Sequence, residues 1–162
     1  MYRVGNGFDA HRFAEDRKLV LGGVVVEHGR GLLGHSDADA LLHALADAML
    51  GAAGWGDLGS HFPDSDPAWK DASSTIFVRK IHDDLRADGW SLVNADLTVI
   101  AQEPKIAPYR EAIRSSIATL LEVPVDRISV KATTTDRMGF LGRGEGIAAQ
   151  AVVLLKRDAD GA

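Results

Sequence analysis

Ser36 to about Ala53 reads SDADALLHALADAMLGAA, a helical stretch that is apolar nearly all the way round. A helix of that kind has little wet surface, so it is buried on most sides, in a large core or against another subunit. The chain has 162 residues, 46% of them hydrophobic, enough for one domain with a core of that size. Those figures exclude a disordered, collagenous or disulfide-stapled chain. No run free of charge and His is long enough to span a bilayer. No basic segment followed by an apolar stretch stands at Met1, so the expected compartment is the cytoplasm.

Around that helix the sequence reads as alternating strands and helices. Residues 2–8 and 18–27 have strand character, the second broken by Gly22-Gly23 as in a hairpin or a bulged strand. Residues 55–72, with Gly56, Gly59, Pro63 and Pro67, have no periodicity; a loop that long in a compact domain is often functional. A helix from about Ser74 to Ala87, a strand over Ser91–Ala101 and a helix from about Pro108 to Leu121 follow. Strands near 127–134 and 146–155 close the chain, and the glycine-dense stretch Gly139–Gly146 between them reads as a wide hairpin turn. The order β-β-α-α-β-α-β-β indicates one layered α+β domain over residues 1–157, with Asp158–Ala162 as a frayed, flexible tail.

The chain has 18 Lys+Arg against 23 Asp+Glu, a formal charge of −5, without the basic footprint of a nucleic-acid binder. An anionic ligand would need local help from backbone amides, single basic residues or a metal ion. The chain has no cysteine. Disulfides, thiol catalysis and thiolate–zinc sites are therefore excluded together, and any metal site is built from His and carboxylates.

In Asp9-Ala10-His11 the outer two residues share a face if the first strand continues that far. A carboxylate and an imidazole side by side suit a borderline cation such as Zn²⁺, although a polar pair at a strand end is a common feature without one. On the apolar helix, Asp39, His43 and Asp47 recur every four residues as one polar stripe. Either His43 is a hydrogen-bonded core residue, or it binds a metal with an Asp behind it. Joined to Asp9 and His11, it would leave one open position, the pattern of a catalytic zinc. Ser36 reads as the helix N-cap with Asp39 three residues on, next to His35, which stands where a helix start favours an anion. His28, His61 and His82 have no partner at a telling spacing and read as ordinary surface or loop residues. Thr133, Thr134 and Thr135 are good strand formers as well as three hydroxyls in a row. The glycine-rich turn lacks a Walker A ending.

In sequence order, Gly5-Asn6-Gly7-Phe8-Asp9-Ala10-His11, the G-H-S-D-x-D-x-L-L-H-A-L stretch over Gly34–Leu45, Gly56-Asp57-Leu58-Gly59, Phe62-Pro63-Asp64-Ser65-Asp66, Ala101-Gln102-Glu103-Pro104-Lys105 and Thr133–Asp136 through Gly146 form a set. Together they resemble the 2-C-methyl-D-erythritol 2,4-cyclodiphosphate synthase family of the non-mevalonate isoprenoid pathway, over essentially the whole chain. The resemblance implies a homotrimer of ferredoxin-like subunits, each a mixed sheet with helices on one face, and active sites at the subunit boundaries. It implies a lyase that closes 4-diphosphocytidyl-2-C-methyl-D-erythritol 2-phosphate into the cyclic diphosphate with release of CMP. By matching positions, Asp9, His11 and His43 look like zinc ligands, and His35 and Thr134 like the residues that hold the β-phosphate.

The same matching implies substrate contacts at Ala10, Ser36, Asp57, Leu58 and Gly59, and along Phe62, Pro63, Asp64, Ser65 and Asp66. Ala101, Gln102, Glu103, Pro104, Lys105, Ile106 and Ala107 would clasp cytosine in a neighbouring subunit, and Thr133 and Thr135 would contact the substrate. Phe140 and Arg143 match positions tied to substrate and to the trimer's central channel. Asp136 stands where the family commonly has Glu; it resembles the ligand of a second ion, Mg²⁺ or Mn²⁺, and being one methylene shorter it would reach that ion directly or through water. Asn6 replaces a common His, and no chemistry is assigned to it. No membrane or nucleic-acid partner is implied. The competing readings are a metal-dependent phosphohydrolase and a trimeric binding module without catalysis.

Overall fold

The computed structural model describes residues 1–157; Asp158–Ala162, read above as a frayed tail, lie outside the described residues. Its frame is one mixed sheet of five strands: β1 (Tyr2–Ala14), β4 (Gly31–Leu32), β5 (Trp90–Ile100), β6 (Ile128–Thr133) and β7 (Gly146–Arg157), in the order β4-β1-β7-β5-β6. All pairs are antiparallel except β5 with β6, which run parallel. A separate hairpin joins β2 (Leu19–Leu21) to β3 (Val24–Val26). Three long helices cover the sheet: α1 (Ala40–Ala53), α3 (Ser74–Ala87) and α4 (Arg110–Leu120), with the single turns α2 (Leu58–His61) between α1 and α3 and α5 (Gly139–Gly142) between β6 and β7. Among the described residues no helix is long and apolar enough to cross a membrane.

Alternation along the strands explains why only one face is covered. Ala95, Leu97 and Val99 of β5 align with Val153, Ala151 and Ala149 of β7, and all are buried. Their neighbours point the other way, and that face keeps Tyr2, Val4, Phe8 and Val152 exposed. The apolar α1 lies directly on β1 and β7. Gly5 and Gly7 permit this: a Cβ on Gly5 would stand 1.8 Å from the Ala48 carbonyl oxygen, and one on Gly7 1.9 Å from that of Ala44. Ala44, Ala48 and Ala52 present small side chains in return, so strand and helix backbones nearly touch. This close approach brings His43 down to the second half of β1.

Three local expectations change. The helix begins at Ala40 rather than Ser36, because Ala38 takes a positive φ of 57° that no helix accommodates. Asp39 is the cap, accepting from Leu42 N at 3.0 Å, and Ser36 Oγ instead takes the amide of Ala38. The first strand extends past residue 8 to Ala14. Of the two forms expected for the 18–27 segment the structure shows the hairpin, which turns at Gly22 and Gly23, φ 61° and 76°, the left-handed pair a tight two-residue turn requires. Finally, the glycine-dense stretch is no hairpin turn: β5 lies between β6 and β7, and the connection carries α5 across the sheet end.

Candidate metal centre and its cleft

In the second half of β1, Asp9 and His11 point to the helix face and meet His43 from the first turn of α1. Asp9 Oδ2 lies 2.8 Å from His11 Nε2 and 3.1 Å from His43 Nδ1, and the two imidazole nitrogens are 3.2 Å apart. Among the described residues this is the set of His and carboxylate side chains whose donor atoms meet within metal-binding reach. Tetrahedral zinc with bonds of about 2.0–2.1 Å needs donors roughly 3.3 Å apart, so the triangle fits a divalent ion with little adjustment.

The electrostatics agree. Burial alone would raise Asp9, but the hydrogen bonds and charges of His11 and His43 outweigh it and hold the carboxyl far below its ordinary range. Burial disfavours the charged form of His11, yet the hydrogen bond and charge of Asp9, helped by the Leu33 carbonyl, raise it above its ordinary value. Two imidazole nitrogens are thus gathered around one carboxylate oxygen. Behind His11, Nδ1 meets the Leu33 carbonyl oxygen at 2.7 Å; a carbonyl only accepts, so in the neutral ring Nδ1 carries the proton and Nε2 the lone pair.

Behind His43 stand residues that sequence reasoning missed. His43 Nε2 lies 2.8 Å from Ser74 Oγ, which in turn donates to Asp37. The stripe Asp39–His43–Asp47 therefore does not act as one unit. Asp39 is wholly buried and accepts from the amides of Gly22 at 2.9 Å and Gly23 at 2.7 Å, while Asp47 accepts from Leu58 N at 2.7 Å. Ser74 and Asp37 are 37 residues apart, and no local periodicity marks them as a pair.

A cleft of about 260 Å³ opens over the three ligands, lined also by Gly34, His35, Ser36, Leu58, Gly59, Phe62, Asp64, Trp69 and Phe77. Phe62, Phe77 and Trp69 form its aromatic wall, with ring centroids 4.7–5.6 Å apart. The 55–72 loop is tied to this wall. Asp57 caps α2 through Ser60 N at 2.9 Å, and His35 Nε2 donates to the Asp66 carbonyl at 3.2 Å. Pro63 and Ser65 are exposed beside the cleft, and Ala10 faces away from it. A larger, shallower hollow of about 500 Å³ lies on α3 around Thr75, Arg79, Lys80 and Asp84, away from any such ligand set.

The remaining sequence candidates gather elsewhere, at the ends of β5 and β6. Ala101 N donates to the Thr133 carbonyl at 3.0 Å, and Gln102 Oε1 accepts from Arg137 N at 3.1 Å. Thr134 Oγ1 accepts from Asp136 N at 3.2 Å, and Thr135 donates to the Met138 carbonyl. Glu103, Lys105, Ala107, Asp136 and Phe140 are exposed, Pro104 is half-buried and Ile106 is buried. Arg143 pairs with Glu145 at 2.6 Å. None of these residues lines the cleft. His82, read as a surface residue, is buried on α3: its position falls on the inner face of that helix, beside Val78, Ile81 and Leu85.

Comparison with known proteins adds the following. The YgbB family model matches residues 2–156. A 2-C-methyl-D-erythritol 2,4-cyclodiphosphate synthase of Bacillus cereus is 57% identical over 97% of this chain and 99% of its own. A solved structure of a 2C-methyl-D-erythritol-2,4-cyclodiphosphate synthase in a CDP-bound form superposes with a TM-score of 0.87 at 40% identity, covering 95% of this chain and all of the other. The bifunctional IspDF of Campylobacter jejuni superposes at 0.94 with 46% identity, over 98% of this chain and 43% of that longer one. The Plasmodium falciparum IspF–CDP complex gives 0.85 at 34% identity, over 98% and 97%.

Proposed function

The chain belongs to the YgbB family and is an enzyme of the cyclodiphosphate-forming lyase type, and on that premise we propose that it closes 4-diphosphocytidyl-2-C-methyl-D-erythritol 2-phosphate into 2-C-methyl-D-erythritol 2,4-cyclodiphosphate. An oxygen of the 2-phosphate forms a bond to the β-phosphorus, and the bond from that phosphorus to the oxygen it shares with the α-phosphorus breaks. CMP leaves with that oxygen and its electron pair. The nucleophile is already an anion, so the protein must orient and neutralise rather than deprotonate.

The observation that carries this reading is the convergence of Asp9, His11 and His43 on one point beside a cleft. Two imidazoles and a carboxylate suit Zn²⁺, which when bound supplies a Lewis acid for a phosphate oxygen. Asp136 is assigned to a second ion, Mg²⁺ or Mn²⁺. Such ions offset the formal charge of −5 that opposes a phosphorylated ligand. His35 lines the cleft and donates through Nε2 to the Asp66 carbonyl, holding the 55–72 loop against it, and it is assigned to the β-phosphate. The wall of Phe62, Trp69 and Phe77 excludes water from one side, and Asp57 with Gly59 is assigned to the ribose. The substrate contacts at Ala10, Ser36, Leu58 and Phe62–Asp66 are part of the same assignment.

We assign Thr133–Asp136, Ala101–Ala107, Phe140 and Arg143 to the rest of the site, completed across a boundary between copies in a homotrimer of ferredoxin-like subunits. The bare sheet face supports this: Val4 is 68% exposed, Tyr2 67% and Phe8 57%, an apolar surface a lone domain rarely leaves open. Ile100 of β5 aligns with Ala148 of β7, which aligns with Ala10 of β1, so the two clusters sit at the same end of the sheet. They are two strands apart, about 10 Å. Residues 1–157 act as a single domain, and the activity is assigned to the cytoplasm. The deciding experiment incubates the purified chain with the phosphorylated substrate, Zn²⁺ and Mg²⁺. CMP and the cyclic diphosphate are expected in equal amounts; a linear phosphate product would mean that water attacks instead.

A further inference from the structure

We propose that Ser74 and Asp37 act as a positioning relay that keeps the proton of the His43 ring on Nε2, so that Nδ1 turns a lone pair toward Asp9 and His11. The inference deepens the metal-centre reading above and rests on it, but its argument is a proton count within this chain. Ser74 has one hydroxyl proton. Its Oγ stands within a short hydrogen bond of Asp37 Oδ1, and its amide donates to Asp37 Oδ2 at 3.1 Å. A carboxylate only accepts, so the Ser74 proton goes to Asp37. The lone pairs of Ser74 Oγ are then left for His43 Nε2, 2.8 Å away, and Nε2 must donate. The opposite tautomer would set Nε2 and Ser74 Oγ face to face as two acceptors at 2.8 Å, beside a serine with no exposed surface, and would leave Nε2 only the longer contact of 3.2 Å from the Ser36 hydroxyl.

The choice is not trivial, because Asp9 Oδ2 lies 3.1 Å from Nδ1 and would welcome a proton there. The outer partners of the two rings therefore set opposite tautomers: His11 offers Nε2 because Leu33 takes its Nδ1 proton, and His43 offers Nδ1 because Ser74 takes its Nε2 proton. Asp37 is itself held in place. Its amide donates to the Ala72 carbonyl at 3.0 Å, and its Oδ1 accepts from Asp39 N at 3.2 Å, which ties the turn before α1 to the start of α3. Ser36 stands differently. Its Oγ accepts from Ala38 N and lies 3.2 Å from His43 Nε2, so its own proton remains for whatever occupies the cleft it lines. One serine orients the ring and another faces the ligand.

Long-range ¹H–¹⁵N NMR of the imidazoles, on the metal-free full chain at pH 8, reads the tautomer directly. The parent is expected to show His43 with its proton on Nε2. In Ser74→Ala and Asp37→Asn that preference should weaken, and zinc affinity, measured by competition with a chelator, should fall about 10–100-fold. An inter-helix staple without influence on the ring would lower the urea midpoint but leave both readouts unchanged. A parent His43 protonated on Nδ1, or zinc affinities in both variants within about twofold of the parent, would overturn the relay. If the parent binds no zinc at all, the metal reading fails, and the ring spectra still decide the relay. If Ser74→Ala does not fold, the parent spectrum and Asp37→Asn decide it.

Discussion

The two groups of candidate residues differ in how far one chain completes them. Around Asp9, His11 and His43, both rings have a second partner on the side away from the triangle, Leu33 for His11 and Ser74 for His43, and the side chains are three-quarters or more buried. Around Thr134, Asp136 and Phe140, side chains stand in the open and bond chiefly to their own turn. The first region is organised before any ligand arrives. The second is a rim whose order has to come from a ligand, an ion or another copy of the chain. Binding energy is conserved where the geometry is set in advance and consumed where it is not.

The sharpest way to break this contrast is His43→Ala. Zinc affinity should fall by more than about 100-fold, with the metal-free fold intact by circular dichroism, because a ligand is lost outright rather than misdirected. Undiminished zinc in elemental analysis would contradict the preorganised centre. The next test addresses the rim. Phe8→Lys combined with Val152→Lys places charge on the bare sheet face and should give monomers in analytical ultracentrifugation. Zinc binding should persist while CMP release drops by at least about 10-fold; a monomeric parent, or an active monomeric variant, would mean that the rim needs no second copy.

A smaller effect is expected from Asp39, which holds the Gly22-Gly23 turn against α1. Burial pushes its pKa up to about 6 despite three backbone N–H donors. Between the ordinary value near 4 and 6, the folded chain keeps a proton that the unfolded chain releases. Stability should therefore fall as pH rises through that window, by at most about 3 kcal/mol. Asp39→Asn should flatten that slope in urea melts at pH 4 to 7, and an unchanged slope would assign it to another group. Asp136→Glu should have the least effect, leaving the Mg²⁺ dependence of CMP release unchanged or somewhat tighter. A large loss would show that the shorter side chain is matched to this rim.

Periodicity made much of the first region legible. Period two along β1 placed Asp9 and His11 on one face, and an apolar helix with a lone imidazole marked His43. It failed where partners are distant in the chain. The stripe of Asp39, His43 and Asp47 reads as a unit, yet each residue answers to a different segment: the β2–β3 turn, α3 and the start of α2. The start of α1 was misplaced because Ala38, with a positive φ, carries no glycine or asparagine to announce it. The insertion of β5 between β6 and β7 is a matter of topology, which no turn residue encodes.

Anomalous diffraction at the zinc edge, from crystals grown with Zn²⁺, tests the metal centre most directly. A single strong peak is expected about 2.0–2.2 Å from Asp9 Oδ2, His11 Nε2 and His43 Nδ1 together. A peak elsewhere, with those three side chains left bonded to one another, would contradict the account.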